Sequence, residues 1–213
     1  MNTSLSDGRS RRYTMLIILS FAAAEVLLHL FTNAFAHYGY FRDELYYIAC
    51  SRHLAAGYVD QPPFASFMLF ISIKLFGDSI FAIRLLPALA SGVTIFIAGL
   101  ITRRLSGGPF AVALACLSLA IAPEFLGANG IYSMNGFDWV FWSLGAYIVL
   151  LIIQSEQKNA RTQKLWLLLG VVLGFALLNK IDQAHISSTI LRRHVRLEEH
   201  GRDGLESLSF SPA

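Results

Sequence analysis

The sequence predicts an all-α, polytopic membrane helix bundle of about five transmembrane helices, with a long outer loop carrying short interfacial helices. Three observations point there. Hydrophobic residues make up 55% of the 213-residue chain, and the mean hydropathy is +0.54. That apolar mass lies in continuous blocks, without the alternation that barrel strands require. Several blocks reach the roughly 20 residues that a helix needs to cross about 30 Å of hydrocarbon.

The blocks at 13–36, 80–101, 110–126 with its flanks and 137–153 are long enough to span. The block at 165–178 is shorter, and 64–76 is too short to cross comfortably. The first block is too long for a signal-peptide core and is followed by no small-x-small cleavage pattern, so it reads as a retained span. It carries Glu25, His29, Asn33 and His37 at steps of four, which keeps them on one helix face. Such a stripe is costly against lipid and belongs against other helices or a wet cavity. It reads either as a proton relay or as an interhelical hydrogen-bond seam, and the seam is the plainer account.

Between His37 and Ile80 the chain forms the outer loop, with a short helix expected over 45–56 and an interfacial helix over 64–76 whose Lys74 snorkels. Pro87 lies inside the second span, where neighbouring helices can satisfy the freed carbonyl. Ser106-Gly107-Gly108-Pro109 marks a tight turn with Pro109 opening the next helix. Trp139 and Trp142 suggest an aromatic belt, and Gly170 with Gly174 forms a small-xxx-small face of the kind used for packing.

The net charge of +3 comes from 17 basic and 14 acidic residues, but position says more than the sum. Arg9, Arg11 and Arg12 precede the first span, Arg103 and Arg104 follow the second, and Lys158, Arg161 and Lys164 follow the fourth. By the positive-inside rule residues 1–12 are cytoplasmic and the acidic first loop is outside. Arg42, Arg52 and Lys74 run against this, in a loop too long to be a strong reporter. The scattered cations imply no nucleic acid. Two cysteines, Cys50 and Cys116, define no disulfide framework.

The polar runs that follow the first span hold the candidate chemistry. Tyr38-Gly39-Tyr40-Phe41-Arg42-Asp43-Glu44-Leu45-Tyr46-Tyr47 is followed by Tyr58-Val59-Asp60-Gln61-Pro62-Pro63-Phe64. Further along come Phe81-Ala82-Ile83-Arg84-Leu85-Leu86-Pro87, Met134-Asn135-Gly136-Phe137-Asp138 and Gly174-Phe175-Ala176-Leu177-Leu178-Asn179-Lys180. In this order, in a membrane protein, these runs resemble the N-terminal part of the dolichyl-phosphate-mannose–protein mannosyltransferase superfamily, whose bacterial members include aminoarabinose transferases.

The resemblance implies an inverting glycosyltransferase of an integral, multi-pass membrane protein, in a bacterial inner membrane. Such enzymes move a sugar from a polyprenyl-phosphate donor to a hydroxyl on a protein or lipid acceptor at the outer face. It also implies that Asp43 is the catalytic carboxylate. The chemistry suits one: a phosphate leaves as a stabilised anion, so a single general base on the acceptor hydroxyl suffices, whereas glycosidases need two carboxylates. An aspartate of ordinary pKa, about 3.9, is ionised at neutral pH. Cations or a divalent metal would offset charge growing on the phosphate.

Each further candidate carries two readings. Glu44 orients the acceptor or serves the helix macrodipole. Arg42 or Arg84 faces the phosphate. Asp60 is a second acid of the site or a turn residue before the Pro-Pro pair. Asp138 contributes to the site or caps a helix, and paired with Asp43 it would make a site for a divalent ion. Lys180 contacts a phosphate or snorkels. Tyr46, Tyr47 and Tyr58 stack on sugar or sit at the interface.

Residues 13–182 thus read as the N-terminal part of a membrane glycosyltransferase domain, and the chain covers well under half of the family's pattern. The polar tail at 183–213 has no apolar run and breaks with that pattern, as a truncated or frame-shifted reading frame would. The expectation is a fragment, with or without activity of its own. The rival readings are a small permease using Glu25 and His29, for which no repeated halves are visible, and a non-catalytic membrane remnant.

Overall fold

The computed structural model describes residues 3–36, 38–155 and 160–180. The polar tail, His37 and Lys158 lie outside the described residues. Within them every regular element is helical: α1 (Thr3–Phe35), α2 (Arg42–Arg52), α3 (Phe64–Phe76), α4 (Ile80–Arg104), α5 (Pro109–Ala120), α6 (Pro123–Gly130), α7 (Met134–Ile153) and α8 (Ala160–Asn179). Four stretches are long and apolar enough to cross a membrane: Arg11–Phe35, Ile80–Arg104, Met134–Ile153 and Thr162–Asn179. A fifth crossing exists if α5 and α6, bent by 57°, are taken as one broken span.

That bend departs from the continuous third span expected over 110–126. Proline supplies the reason. Pro123 has no N–H to give back to the preceding turn and pushes the residue before it out of the helical region. Ala122 accordingly sits extended at φ −69°, ψ 120°, and Pro123 opens α6.

The central helix is α4, with 61% of its span buried, against 28% or less for the other three. It runs antiparallel to α1 at close range. A Cβ on Gly92 would overlap Val26 Cγ2 and lie 3.1 Å from the Ala22 carbonyl oxygen, and one on Gly99 would lie 2.7 Å from Ile18. Absent side chains let the backbones approach, a common device where no hydrophobic drive separates helix from lipid. The core on this side joins Ile18, Ala22, Ile95, Val112, Cys116 and Phe125.

On its other side α4 runs parallel to α7. Pro87 meets Gly136 near one end, and the Gln154 amide donates to the Arg104 carbonyl at the other, at 3.0 Å. Helix α8 returns antiparallel to α7, packing Leu169 and Val172 on Ile148. Gly170 and Gly174, expected to pack, face open space: a Cβ on either would meet nothing within 4 Å.

These directions sort the connections by end. Residues 38–79, the 121–133 connection and Lys180 lie at one end, and Arg103 to Pro109 with Gln154 lie at the other. The turn at the second end closes on Ser106, which takes the left-handed conformation at φ +65°, while Gly107 N–H reaches back to the Thr102 carbonyl at 2.9 Å. At the first end α3 lies against α4, its Ser72 hydroxyl donating to the Ala82 carbonyl at 2.7 Å. Helix α3 forms over the residues expected for it, and α2 starts three residues before the expected 45–56.

The α1 stripe is mostly buried. Glu25 and His29 are 3% and 4% exposed, and His29 Nε2 stands 3.3 Å from Glu25 Oε1. Neither atom completes a hydrogen bond, and Asn33 Nδ2 also lacks a partner.

Candidate functional site

A cleft of about 470 Å³ opens at the end of the bundle that holds the 38–79 segment. One wall is the start of α2, with Arg42, Asp43, Tyr46 and Tyr47; the floor is Asp60 and Gln61; the other wall is Ser133, Met134 and Asn135. Five of the residues singled out in the sequence, Arg42, Asp43, Tyr46, Tyr47 and Asp60, therefore come together. The Arg42 guanidinium donates to Asp43 Oδ1 at 3.2 Å from an almost fully exposed position, a pair worth well under about 1 kcal/mol.

The two walls are tied together by Glu44, which is fully buried and does not line the cleft. Its carboxylate accepts four hydrogen bonds. Arg84 Nε reaches Oε1 and Arg84 Nη2 reaches Oε2, both at 2.7 Å. The Phe41 N–H donates to Oε2 at 2.8 Å, and the Tyr132 N–H to Oε1 at 2.8 Å. The Phe41 contact is the returning half of a capping box, which explains why α2 begins at Arg42: Phe41 carries no acceptor, so Glu44 supplies the whole cap. Arg84 Nη2 also donates to the Gly39 carbonyl at 2.9 Å.

Burial by itself would raise the Glu44 carboxyl. The Arg84 fork, the Phe41 and Tyr132 amides and the guanidinium charge outweigh it and hold the group below its ordinary value. Glu44 is thus an ionised acceptor with its capacity filled.

Two tyrosines add further ties. The Met134 N–H donates to the Tyr47 hydroxyl at 3.2 Å, and the Tyr132 hydroxyl donates to the Ala65 carbonyl at 2.6 Å. Tyr47 and Tyr132 pack edge to face at 5.6 Å, in a core with Ala65, Leu69 and Ile83. Burial raises the pKa of both phenols, so they work as neutral hydrogen-bonding groups.

Asp138 and Lys180 are brought together elsewhere. Lys180 Nζ lies 3.8 Å from Asp138 Oδ2, one turn further along α7 than Met134, and neither lines the cleft. The structure therefore does not place Asp138 with Asp43 there. Nor does Asp138 cap its helix: α7 begins at Met134, and Ser133 Oγ accepts the Asn135 N–H at 3.3 Å. Next to Lys180, buried Asn179 donates to the Met134 carbonyl at 2.9 Å. Tyr58 stands apart as a loop staple, its hydroxyl bridging the Cys50 and His53 carbonyls and the Ala55 N–H.

No group of three His, Cys, Asp or Glu side chains suited to a metal occurs among the described residues. Asp43 and Asp60 are the two carboxylates that line the cleft. A divalent ion held by one or two carboxylates takes its remaining ligands from water and substrate phosphate.

Sequence reasoning missed Gln61, Ser133 and Asn135 as lining residues. Ser133 carried a usable signal, a serine directly ahead of an apolar helix.

The profile of the dolichyl-phosphate-mannose-protein mannosyltransferase family matches residues 60–197. Among characterised proteins, the undecaprenyl phosphate-alpha-4-amino-4-deoxy-L-arabinose arabinosyl transferase 1 of Pseudomonas fluorescens strain Pf0-1 is 28% identical over 123 residues, 58% of this chain and 21% of that protein. The corresponding transferase 1 of strain Pf-5 is 30% identical over 125 residues, covering 58% and 22%. A Pseudomonas aeruginosa transferase, from strain UCBPP-PA14, is 25% identical over 128 residues, covering 60% and 23%. The chain thus spans about a fifth of the length of the relatives it matches. No solved structure matches it significantly. With a family match across more than half of its length, this polytopic helical membrane protein belongs to the dolichyl-phosphate-mannose-protein mannosyltransferase family.

Proposed function

We propose that the chain carries the donor-side cleft of a glycosyltransferase that takes a sugar from a polyprenyl phosphate and passes it to a hydroxyl of a protein or lipid. The observation that carries this reading is Asp43 on the wall of a cleft at one end of the bundle, beside Arg42 and across from Ser133 and Asn135. The relatives' names supply the donor class, an undecaprenyl phosphate sugar.

In the reaction, Asp43 accepts the proton of the acceptor hydroxyl as its oxygen bonds to the anomeric carbon. The bond from that carbon to the phosphate oxygen breaks, its electrons leave with the phosphate, and the configuration inverts. Arg42 is assigned to the phosphate, being the cation on the cleft. Arg84 and Lys180 do not line the cleft, being paired with Glu44 and Asp138 away from it, and are assigned no contact with the donor. Ser133, Asn135 and Gln61 offer the neutral donors and acceptors that a sugar's hydroxyls need. If a divalent ion binds, Asp60 and Asp43 are the carboxylates that would hold it, and its charge would offset that on the phosphate.

The membrane is proposed to be a bacterial inner membrane, with the cleft on its outer side. Arg103 and Arg104 at the opposite end of α4 support that orientation.

The test is transfer by the full chain in lipid vesicles, supplied with undecaprenyl phosphate-4-amino-4-deoxy-L-arabinose and, in parallel, a hydroxyl-bearing lipid or peptide. Release of undecaprenyl phosphate should fall about 100-fold or more in Asp43→Asn, the range for losing a general base. Equal turnover in the variant, or none by the parent with either acceptor, rejects the reading.

A further inference from the structure

The sequence suggests Arg84 as a phosphate ligand, but the structure gives it another task. We infer that Arg84, working from inside α4 through Glu44, is a positioning residue that sets the spacing between the two walls of the cleft. The inference rests on the cleft being the site proposed above.

The argument is one of connectivity. Phe41, two residues before Asp43, and Tyr132, next to Ser133, give their N–H groups to different oxygens of one carboxylate. Each oxygen is also held by one nitrogen of the Arg84 fork at 2.7 Å. The guanidinium is planar, so its two nitrogens fix the plane and rotation of the carboxylate. With that plane fixed, the directions of the Phe41 and Tyr132 bonds are fixed too. Arg84 is itself anchored in the central, most buried span, and its remaining bond, to the Gly39 carbonyl, holds the approach to α2. The hydrogen bond from the Met134 N–H to the Tyr47 hydroxyl also joins the walls, but it is between neutral groups. The ionic clasp is therefore the strongest single link between Asp43 and the Ser133–Asn135 side.

A phosphate ligand and a positioning residue respond differently to lysine. Lysine keeps the charge but loses the fork and the second nitrogen. As a phosphate ligand, Arg84→Lys would retain donor binding. As a positioner, it should behave like Arg84→Gln.

The decisive measurement needs no turnover. Spin labels go on exposed Leu45 and Asn135 of the full chain in nanodiscs, with Cys50 and Cys116 replaced by Ala, and their distance distribution is read by pulsed electron resonance well below the unfolding temperature. The expected result is a narrow distribution with Arg84 present, broadened or shifted alike in Arg84→Lys, Arg84→Gln and Glu44→Gln. Unchanged distributions in folded variants would overturn the inference, and leave the transferase reading standing. In the transfer assay, kcat should fall about tenfold or more in Arg84→Lys, since displacements of about 1 Å carry costs up to 100-fold. The donor KM should move less. A raised KM with kcat kept, or full activity in Arg84→Lys, would return Arg84 to phosphate binding or to a purely structural role.

Discussion

Removing the Glu44 charge should destabilise the bundle more than any single substitution on the cleft surface. The perturbation is Glu44→Gln, which keeps the side chain's length and one acceptor oxygen. In the native protein four donors end on this carboxylate: two Arg84 nitrogens at 2.7 Å and the Phe41 and Tyr132 amides at 2.8 Å. In the variant an NH2 replaces one oxygen, so two of those donors face a donor. The Arg84 charge, 6% exposed at its side chain, then lies buried without a counter-ion. Breaking a buried, hydrogen-bonded pair from one side costs about 3–5 kcal/mol. Summing unsatisfied donors singly would exceed this, because local relaxation and water entry recover part of the loss. Thermal unfolding of detergent-solubilised protein, followed by helical circular dichroism, should show a midpoint lower by about 6–20 °C, at roughly 2–4 °C per kcal/mol for a chain of this size.

The sign of the pH dependence follows from the depressed pKa of Glu44. A carboxylate held below its unfolded value adds stability that is complete above that value, near 4.5, and is lost as pH falls through the lower folded value. The gap between parent and variant should stay constant above about pH 5 and narrow in more acid solution. A loss under about 1 kcal/mol at pH 7, or a gap that widens on acidification, would refute the clasp as described.

Two other expectations concern packing and turn geometry. Gly92→Leu places a side chain into Val26 and the Ala22 carbonyl, so the α1–α4 contact should lose about 1–3 kcal/mol in the same unfolding assay; an unchanged midpoint would mean that the helices do not approach as described. Ser106→Gly relieves a left-handed conformation at φ +65° and should gain up to about 1 kcal/mol, a rise that Ser106→Val should reverse.

The spans were legible because bilayer thickness imposes a length that one sequence displays directly. Helix α3 was legible for the same reason, being too short to cross and bounded by Pro63 and Gly77. The α5–α6 break was also written in the chain, at Pro123, but a continuous hydropathy block conceals it. The start of α2 was harder, since the cap is Glu44 reaching back to an N–H with no side-chain partner there. The partners of Glu44 could not be read at all: Arg84 is 40 residues away and Tyr132 is 88. An acid next to another acid, and an arginine opening a span, look functional one at a time. Only their meeting shows that they satisfy each other, leaving Asp43, Asp60 and Arg42 facing the cleft. Lys180 and Asp138 teach the same lesson, being 42 residues apart and paired.

The central claim of the proposal is that the Asp43 cleft opens on the outer side of the membrane, with the Arg103–Arg104 turn in the cytoplasm, and sided thiol labelling tests it most directly. Val59, fully exposed beside Asp60, and Leu105, exposed in the turn, are each changed to cysteine in a chain whose Cys50 and Cys116 are alanine. An impermeant maleimide applied to intact spheroplasts should label Val59→Cys, and should label Leu105→Cys only after lysis. Labelling of Leu105→Cys in intact spheroplasts, with Val59→Cys protected until lysis, would put the cleft in the cytoplasm and contradict the account.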